Sequence, residues 1–138
     1  MNIQTIIHQA QLRLTPSRQA ILTYIKQTEK PVSIEEIKLY LQKNHYIFDD
    51  VTIYRTIHSF VQKDIVKQID FHEGKFRYEI ANLPHHHHIV CTGCGSIQDI
   101  EHCLKETAEQ SIEKNTGYVI SSHSLEFFGL CRKCKSKK

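Results

Sequence analysis

The alternation of apolar and polar positions predicts three helices and a β-hairpin in the first half of the chain. Thr15 followed by Pro16 is a helix start, and the apolar residues after it recur on one face. Ser33 and Glu36 form a capping box that starts a second amphipathic helix. The predicted elements are helices over about residues 15–28, 33–44 and 50–62 and strands over residues 65–70 and 76–80, the order of a winged-helix domain.

The third predicted helix has two different faces. At 100° per residue, Ile53 and Ile57 lie on one side, whereas Thr52 and Arg55 lie on the other. The N-terminal half of a recognition helix reads base edges, so Tyr54 and Arg55 are placed to contact DNA. Tyr54 also lies at the edge of the apolar arc, where it could join the core, and an exposed arginine is commonly only solvated. Both interpretations stay open at this point.

The apolar pattern changes at Asn82-Leu83-Pro84, which predicts a domain boundary. Proline fixes its own φ and disfavours helix in the residue before it. Beyond this point the pattern predicts strands over residues 86–90, 96–100 and 118–128, a helix over residues 101–115 and a basic tail. We therefore expect an α+β chain with one domain over residues 1–81, a hinge over residues 82–84 and a second domain over residues 85–138.

Composition restricts the classes of protein that fit. The chain has 138 residues, of which 40% are hydrophobic, as in ordinary globular proteins. No window approaches the ~18 apolar residues of a membrane span, and the N-terminus lacks the apolar core of a signal peptide. We therefore expect a cytoplasmic protein with no membrane partner. The net charge of +3 means that any DNA binding must come from local patches, whereas ten histidines and five cysteines point to metal.

Two CxxC pairs are the strongest chemical signal. Cys91 with Cys94 and Cys131 with Cys134 supply four thiolates, a complete tetrahedral ligand set for one structural zinc ion. Two disulfides are the alternative, but nothing in the chain indicates an oxidising compartment. Cys103 lies outside both pairs and is expected to be a packed thiol rather than a ligand.

A run of histidines over residues 85–88 is the second signal. In a strand, side chains alternate between the two faces, so His86 and His88 would share one face and His85 and His87 the other. That geometry serves two different metal sites. An expression tag and a solvated, metal-free histidine cluster are the alternatives. Further candidate ligands are Glu79, Asp99, Glu106 and His123.

A zinc enzyme and a zinc-binding storage or adaptor protein are alternatives from other classes. The chain lacks the HExxH motif and the HxE with PCxxC arrangement of zinc deaminases. A four-thiolate site also leaves no position for a catalytic water. We therefore expect no enzyme activity and no small-molecule substrate, while a storage or adaptor protein without DNA binding stays open.

Three segments in order resemble the ferric uptake regulator (Fur) family: residues 14–18 (LTPSR), residues 51–55 (VTIYR) and residues 85–94 (HHHHIVCTGC), followed by Cys131. The resemblance spans nearly the whole chain. It implies an N-terminal winged-helix DNA-binding domain and a C-terminal α/β dimerisation and metal-binding domain. It further implies a homodimeric, metal-dependent repressor of metal-homeostasis or oxidative-stress genes that binds AT-rich inverted repeats in double-stranded DNA.

The resemblance also implies residue roles. Tyr54 and Arg55 match major-groove contacts, next to Thr52, whereas Arg13 matches a minor-groove contact and Arg18 a phosphate contact. The four CxxC cysteines match the ligands of a structural Zn²⁺. The implied regulatory sites are a hinge site of Glu79, His86 and His88 and a dimerisation-domain site of His85, His87, Glu106 and His123, with Asp99 matching an additional carboxylate in the peroxide-sensing branch.

One position departs from the family pattern. The hinge site usually takes one more histidine just before a Val-Ser pair, and this chain has Pro31 there. Proline cannot bind a metal, which gives the dimerisation-domain site more weight as the sensor. Mixed imidazole and carboxylate ligands suit Fe²⁺ or Mn²⁺, with Zn²⁺ possible. Peroxide sensing and zinc sensing are alternatives, and zinc sensing ranks lower because that branch often has a thiolate where this chain has Glu79.

Overall fold

The computed structural model describes residues 1–83, 86–100, 105–121 and 123–136, with side chains of the third range described from residue 108. The chain divides into two compact units, Met1–Leu83 and Pro84–Lys138. No helix among the described residues is long and apolar enough to cross a membrane. The two units are α+β in composition, as the sequence predicts.

The N-terminal unit contains four helices and a three-stranded sheet. Its sheet has the order β1-β3-β2, with both pairs antiparallel. The β2-β3 hairpin is the wing of a winged-helix domain. The elements are α1 (Ile3–Gln9), α2 (Pro16–Gln27), β1 (Val32–Ser33), α3 (Ile34–Lys43), α4 (Asp50–Gln62), β2 (Val66–Asp70) and β3 (Phe76–Ile80).

Side-chain caps fix where these four helices begin. Each N-cap side chain accepts a hydrogen bond from the backbone N–H three residues later, which satisfies one of the unpaired donors of the first turn. Thr15 caps α2 in this way, and Pro16 occupies the following position. A cap of this kind contributes about 1 kcal/mol to stability. The four N-caps are Asn2, Thr15, Ser33 and Asp49.

A single apolar core holds the N-terminal unit together. Ile21, Leu22 and Ile25 of α2 are fully buried against α3 and α4, as the helical periodicity predicts. Ile57 and Phe60 of α4 join them, which commits one face of that helix to the core. Burial of each large aliphatic side chain contributes about 1.5–3 kcal/mol. The face of α4 that carries Arg55 is therefore fixed by packing on the opposite side of the same helix.

Two elements of the N-terminal unit were not predicted. Helix α1 has only seven residues, too few for a clear periodic signal, yet its Ile7 is fully buried. Strand β1 has two residues, Val32 and Ser33, which pair with Tyr78 and Arg77 of β3. Tertiary packing rather than local propensity stabilises both elements.

The described residues of the C-terminal unit form a three-stranded sheet and two helices. Strand β4 lies in the centre, antiparallel to β5 and parallel to β6. The predicted strand over residues 118–128 is wrong at the described positions 118–121 and 123–125, because pairing with β4 starts at Glu126. The basic tail contains a short helix. The elements are β4 (His87–Cys91), β5 (Ile97–Ile100), α5 (Lys105–Thr116), β6 (Glu126–Gly129) and α6 (Arg132–Lys135).

Candidate metal centres and nucleic-acid interface

Four sulfur atoms converge at one end of the C-terminal sheet. Cys91 ends β4, Cys94 lies in the following turn, Cys131 caps α6 and Cys134 lies on that helix. The four sulfurs all lie within 4.8 Å of one another. All four are free thiols, and the sulfurs of Cys94 and Cys131 are 3.8 Å apart. A tetrahedral Zn²⁺ with bonds of about 2.3 Å requires a separation of about 3.8 Å, so this donor set fits the ion.

The electrostatics of this cluster favour a cation. The backbone N–H groups of Cys131 and Cys94 donate to the sulfur of Cys91, at 3.3 and 3.4 Å. They lower the pKa of Cys91 to about 6. The neighbouring sulfurs of Cys91 and Cys131 raise the pKa of Cys134 to about 12. Without a cation, the thiols of one cluster thus have pKa values shifted in opposite directions. A bound divalent cation stabilises all four thiolates together and favours deprotonation of every thiol.

Gly93 leaves the space that the cluster needs. A Cβ atom at this position would lie 2.9 Å from the sulfur of Cys134 and 3.1 Å from its Cβ. Contacts this short force either the turn or α6 to move. The first CxxC turn and α6 are therefore fitted to each other at the sulfur site.

The histidine run places alternate side chains on opposite faces of β4. His88 is buried and lies opposite Asp99 of β5, with 3.5 Å between its Nε2 and the carboxylate. The rings of His86 and His88 are 4.7 Å apart between centroids, on the same side of the strand. His87, also buried, turns to the other side. This is the alternation that the strand pattern predicts.

On that other side, two imidazoles and a carboxylate form a chain. The Nε2 atoms of His87 and His123 are 3.2 Å apart, and the Nδ1 of His123 is 2.8 Å from Glu109 of α5. Burial and the neighbouring His123 lower the pKa of His87, which favours the neutral ring that a metal requires. The ring of His87 is also hydrogen-bonded to the backbone of Leu125.

The remaining predicted ligands have mixed outcomes. His85 and the side chain of Glu106 lie outside the described residues. Glu79 is buried on β3 of the N-terminal unit, whereas its expected partners belong to the C-terminal unit, so the hinge site stays a prediction. Pro31 is fully buried, and its carbonyl accepts a hydrogen bond from Arg77 at 3.4 Å.

Sequence reasoning missed Glu109. It lies three residues after Glu106 in the sequence, a spacing at which two residues of a helix are neighbours. The spacing alone could have nominated Glu109 as a second candidate. Its position against His123 depends on how the chain returns from α5 to β6, and no local pattern encodes that path.

The first turns of α4 present a polar edge to solvent. Tyr54 is 50% exposed and Arg55 is also exposed, so neither belongs to the core. The ammonium group of Lys38 lies 5.4 Å from the centroid of the Tyr54 ring and forms an ion pair with Asp50 at 3.3 Å. Lys38 stabilises the position of the tyrosine ring through a cation–π contact, which the sequence analysis did not predict. Thr52 is half-buried on the same helix.

Two further arginines lie before and at the start of α2. Arg13 is exposed, and Arg18 is half-buried. The guanidinium of Arg18 donates a hydrogen bond to the backbone carbonyl of Arg13, which ties the two segments together. Both side chains therefore belong to one local structure at the N-terminus of α2.

Comparison with known proteins agrees with these observations. The family model "Ferric uptake regulator family" matches residues 9–128. The chain is 31% identical to the ferric uptake regulation protein of Bacillus subtilis (strain 168), over 99% of this chain and 94% of that protein. It is 30% identical to the peroxide-responsive repressor PerR of Staphylococcus aureus (strain Mu50 / ATCC 700699), over 95% of this chain and 88% of that protein.

A solved structure gives the same result for the fold. The ferric uptake regulator of Vibrio cholerae aligns with a TM-score of 0.84 at 27% identity, over 94% of this chain and all of that chain. The match supports the winged-helix domain followed by a dimerisation domain. The chain therefore belongs to the ferric uptake regulator family, whose members are metal-responsive transcription regulators rather than enzymes.

Proposed function

We propose that this protein is a cytoplasmic, homodimeric repressor that binds AT-rich inverted-repeat operators of metal-homeostasis or oxidative-stress genes when a divalent metal is bound. The exposed edge of Tyr54 and Arg55 carries this proposal, because the opposite face of the same helix is committed to the core. An exposed reading edge on a rigidly packed helix is what major-groove recognition requires. A storage or adaptor protein that does not bind DNA does not require an exposed edge of this kind.

The DNA contacts divide into reading and positioning groups. Tyr54 and Arg55, next to Thr52, read base edges in the major groove, since Arg forms bidentate bonds with guanine and apolar atoms contact the thymine methyl. Arg13 reaches the minor groove, and Arg18 contacts phosphate. The tie between the Arg18 guanidinium and the Arg13 carbonyl supports a shared docking role for this segment.

The two kinds of metal site have different tasks. The four cysteines hold a structural Zn²⁺, which joins the end of β4 to α6 within a domain that spans residues 85–138. The histidine sites hold the regulatory ion, Fe²⁺ or Mn²⁺. Because Pro31 cannot supply a ligand to the hinge site of Glu79, His86 and His88, the sensor is the site that contains His87 and His123, with His85 and Glu106 completing it.

A peroxide-sensing role is the second candidate. It rests on Asp99, whose carboxylate is 3.5 Å from the Nε2 of His88. An additional carboxylate next to a ligand histidine suits iron, which supplies the redox chemistry of such a sensor when it is bound. This chain contributes the ligands and their orientation, and oxidation of a ligand histidine would be the readout.

The C-terminal unit supports association with a second copy. Strand β6 forms one edge of the sheet, and its Phe127 and Phe128 are exposed. Tyr118 and Val119 are exposed apolar residues in the same unit, at 75% and 89%. Exposed apolar side chains next to the last strand of the described sheet favour a symmetric interface between two copies. The hinge over residues 82–84 then allows metal binding to set the spacing of two DNA-binding domains.

A DNA-binding titration with and without added Mn²⁺, at one fixed salt concentration, tests the proposal. We expect tight binding to an AT-rich inverted repeat only with the metal. Arg55→Ala should cost about 1–3 kcal/mol and relax sequence preference, whereas Arg18→Ala should weaken all sequences alike and shallow the salt slope. Equal affinity with and without metal would refute metal-dependent repression. Equal loss of specificity in both variants would refute the placement of the reading edge.

A further inference from the structure

We propose that Glu109 is a positioning residue for the regulatory metal: its carboxylate accepts a hydrogen bond from Nδ1–H of His123 and thereby holds the Nε2 lone pair toward His87. The carboxylate and Nδ1 are 2.8 Å apart, within the range of a charge-assisted hydrogen bond. This inference rests on the proposed function, because it assigns a partner to one of the sensor ligands.

The spacing of the two imidazoles fits one shared ion. Their Nε2 atoms are 3.2 Å apart. Two nitrogens at about 2.1 Å from one metal are separated by about 3.0 Å in octahedral geometry and about 3.4 Å in tetrahedral geometry. The observed distance lies between these values, and it is also the length of a hydrogen bond when one of the two Nε2 atoms carries a proton in the absence of metal. His87 and His123 are thus poised to bind one ion through Nε2, provided that both atoms carry lone pairs.

Glu109 is placed to orient a ligand rather than to be one. The two nitrogens of an imidazole point away from each other, and the carboxylate lies at Nδ1 of His123 while His87 lies at Nε2. The Glu109 carboxylate therefore lies on the side of the His123 ring away from the Nε2 atoms that face each other. A carboxylate on the outer nitrogen of a ligand histidine fixes its tautomer and raises its basicity.

The surroundings make this contact more than a surface ion pair. The side chains of His123 and Glu109 are only 22% and 18% exposed, so water competes weakly for the hydrogen bond. The ring of His87 is held by the Leu125 backbone. Each ring of the pair therefore has its own orienting group, a backbone contact for His87 and a carboxylate for His123.

Three variants separate the parts of this role. Glu109→Gln keeps a hydrogen-bond acceptor and removes the charge, whereas Glu109→Ala removes both. Glu113→Gln is the matched control, because Glu113 lies one turn further along α5 and, within the described part of the chain, its carboxylate has no hydrogen bond or ion pair. Zinc content should stay at about one ion per chain in all three variants, which reports that the thiolate site remains folded.

The first readout is the tautomer of His123, measured by ¹⁵N NMR in the protein without regulatory metal at pH 8, where an ordinary imidazole is neutral. The parent protein and Glu109→Gln should show the Nδ1–H form. Glu109→Ala should shift the population toward Nε2–H. An unchanged tautomer in Glu109→Ala would overturn the proposal.

The second readout is Mn²⁺ affinity without DNA, with the His123→Ala variant used to identify the part of the binding that this site provides. Loss of an outer carboxylate typically costs 10- to 100-fold in metal affinity. We expect about 100-fold for Glu109→Ala, about 10-fold for Glu109→Gln and no change for Glu113→Gln. Equal affinity in all three variants would overturn the proposal. Neither readout involves DNA. A protein that did not repress could therefore still show both expected results for Glu109, so the positioning role and the proposed repressor function are tested independently.

Discussion

The C-terminal unit contains two clusters of metal-binding side chains that are built in opposite ways. Each cysteine pair comes from one turn, and backbone N–H groups at 3.3 and 3.4 Å from Cys91 preorganise the site. The histidine pair brings together two single residues 36 positions apart, a separation similar to the 37 positions between Cys94 and Cys131, but a carboxylate rather than the backbone orients His123. Four thiolates form a closed site that holds its ion permanently, whereas two imidazoles leave coordination positions open and suit an ion that must come and go.

Removal of one zinc ligand should have the largest effect. Cys91→Ser deletes a ligand that belongs to the central strand, and binding of a structural zinc contributes about 10–16 kcal/mol to folding in small domains. We expect zinc content to fall from about one ion per chain to near zero, with loss of the C-terminal sheet. Metal analysis and circular dichroism measure both changes.

Cys103→Ser is the control for that variant, since Cys103 lies outside both CxxC pairs. It should keep its zinc and its helical content. A Cys91→Ser protein that retained zinc and folded normally would show that the sulfur cluster has no structural role.

Loss of a regulatory ligand should have a smaller and different effect. His123→Ala should leave zinc bound and the fold intact, while DNA binding loses its response to Mn²⁺. A metal that prefers the binding-competent form by ~10⁴-fold, about 5.5 kcal/mol, moves a two-state equilibrium from 1:99 to 99:1. The metal-dependent part of the DNA affinity is therefore expected to fall by up to about 100-fold, as measured by titration at fixed salt.

His45→Ala is a suitable control for His123→Ala, because His45 is an exposed histidine at the end of α3. It should keep the full metal response. If His123→Ala kept that response too, the sensor would have to lie at the site that includes His86 and His88 instead.

A fall in pH should release the regulatory metal from the histidine cluster before zinc leaves the cysteine cluster. The pKa of His87 is lowered by burial and by His123, so this ring stays neutral to lower pH than an ordinary imidazole near 6.5. As pH falls below that value, protons should displace the regulatory metal first. The metal-free thiols do not set this order, because the pKa of Cys91 is lowered to about 6 and that of Cys134 is raised to about 12. The order comes from zinc binding, which holds all four sulfurs deprotonated to lower pH.

Metal content after desalting at pH 8, 7, 6 and 5 checks this order. We expect Mn²⁺ to leave between about pH 6.5 and 5 while zinc remains. Simultaneous release of both ions would mean that the two clusters are not independent in stability.

The sequence predicts the features of these clusters that depend on local spacing. The CxxC pairs are local, and their spacing alone indicates the tetrahedral set that the structure brings together at Cys91 and Cys134. The period of two along the histidine run likewise predicts that His87 and His88 face opposite sides of β4. The spacing within each CxxC pair and the period along the histidine run are local patterns, although the two cysteine pairs meet across a separation of 37 positions between Cys94 and Cys131.

Long-range pairing explains what the sequence missed. Tyr118 and Val119 have the aromatic and β-branched character of a strand, yet pairing with β4 starts only at Glu126. Glu109 carries no local signal that distinguishes it from Glu106. Pattern reasoning therefore finds the elements and the thiolate site, but it does not find which carboxylate meets His123.

The smallest expected effect concerns the fit of the first CxxC turn. Gly93→Ala adds a Cβ atom that would lie 2.9 Å from the sulfur of Cys134, so α6 or the turn must shift by a few tenths of an ångström. A shift of this size should distort the tetrahedral set without destroying it. We expect about tenfold faster loss of zinc to a chelator, roughly 1.4 kcal/mol if the change is entirely in zinc affinity.

Gly129→Ala is the matched control, because a Cβ atom on that β6 residue meets nothing within 4 Å. If the two variants released zinc at the same rate, close packing of the turn against α6 would contribute nothing to the permanence of the thiolate site, and the contrast with the histidine pair would rest on the ligands alone.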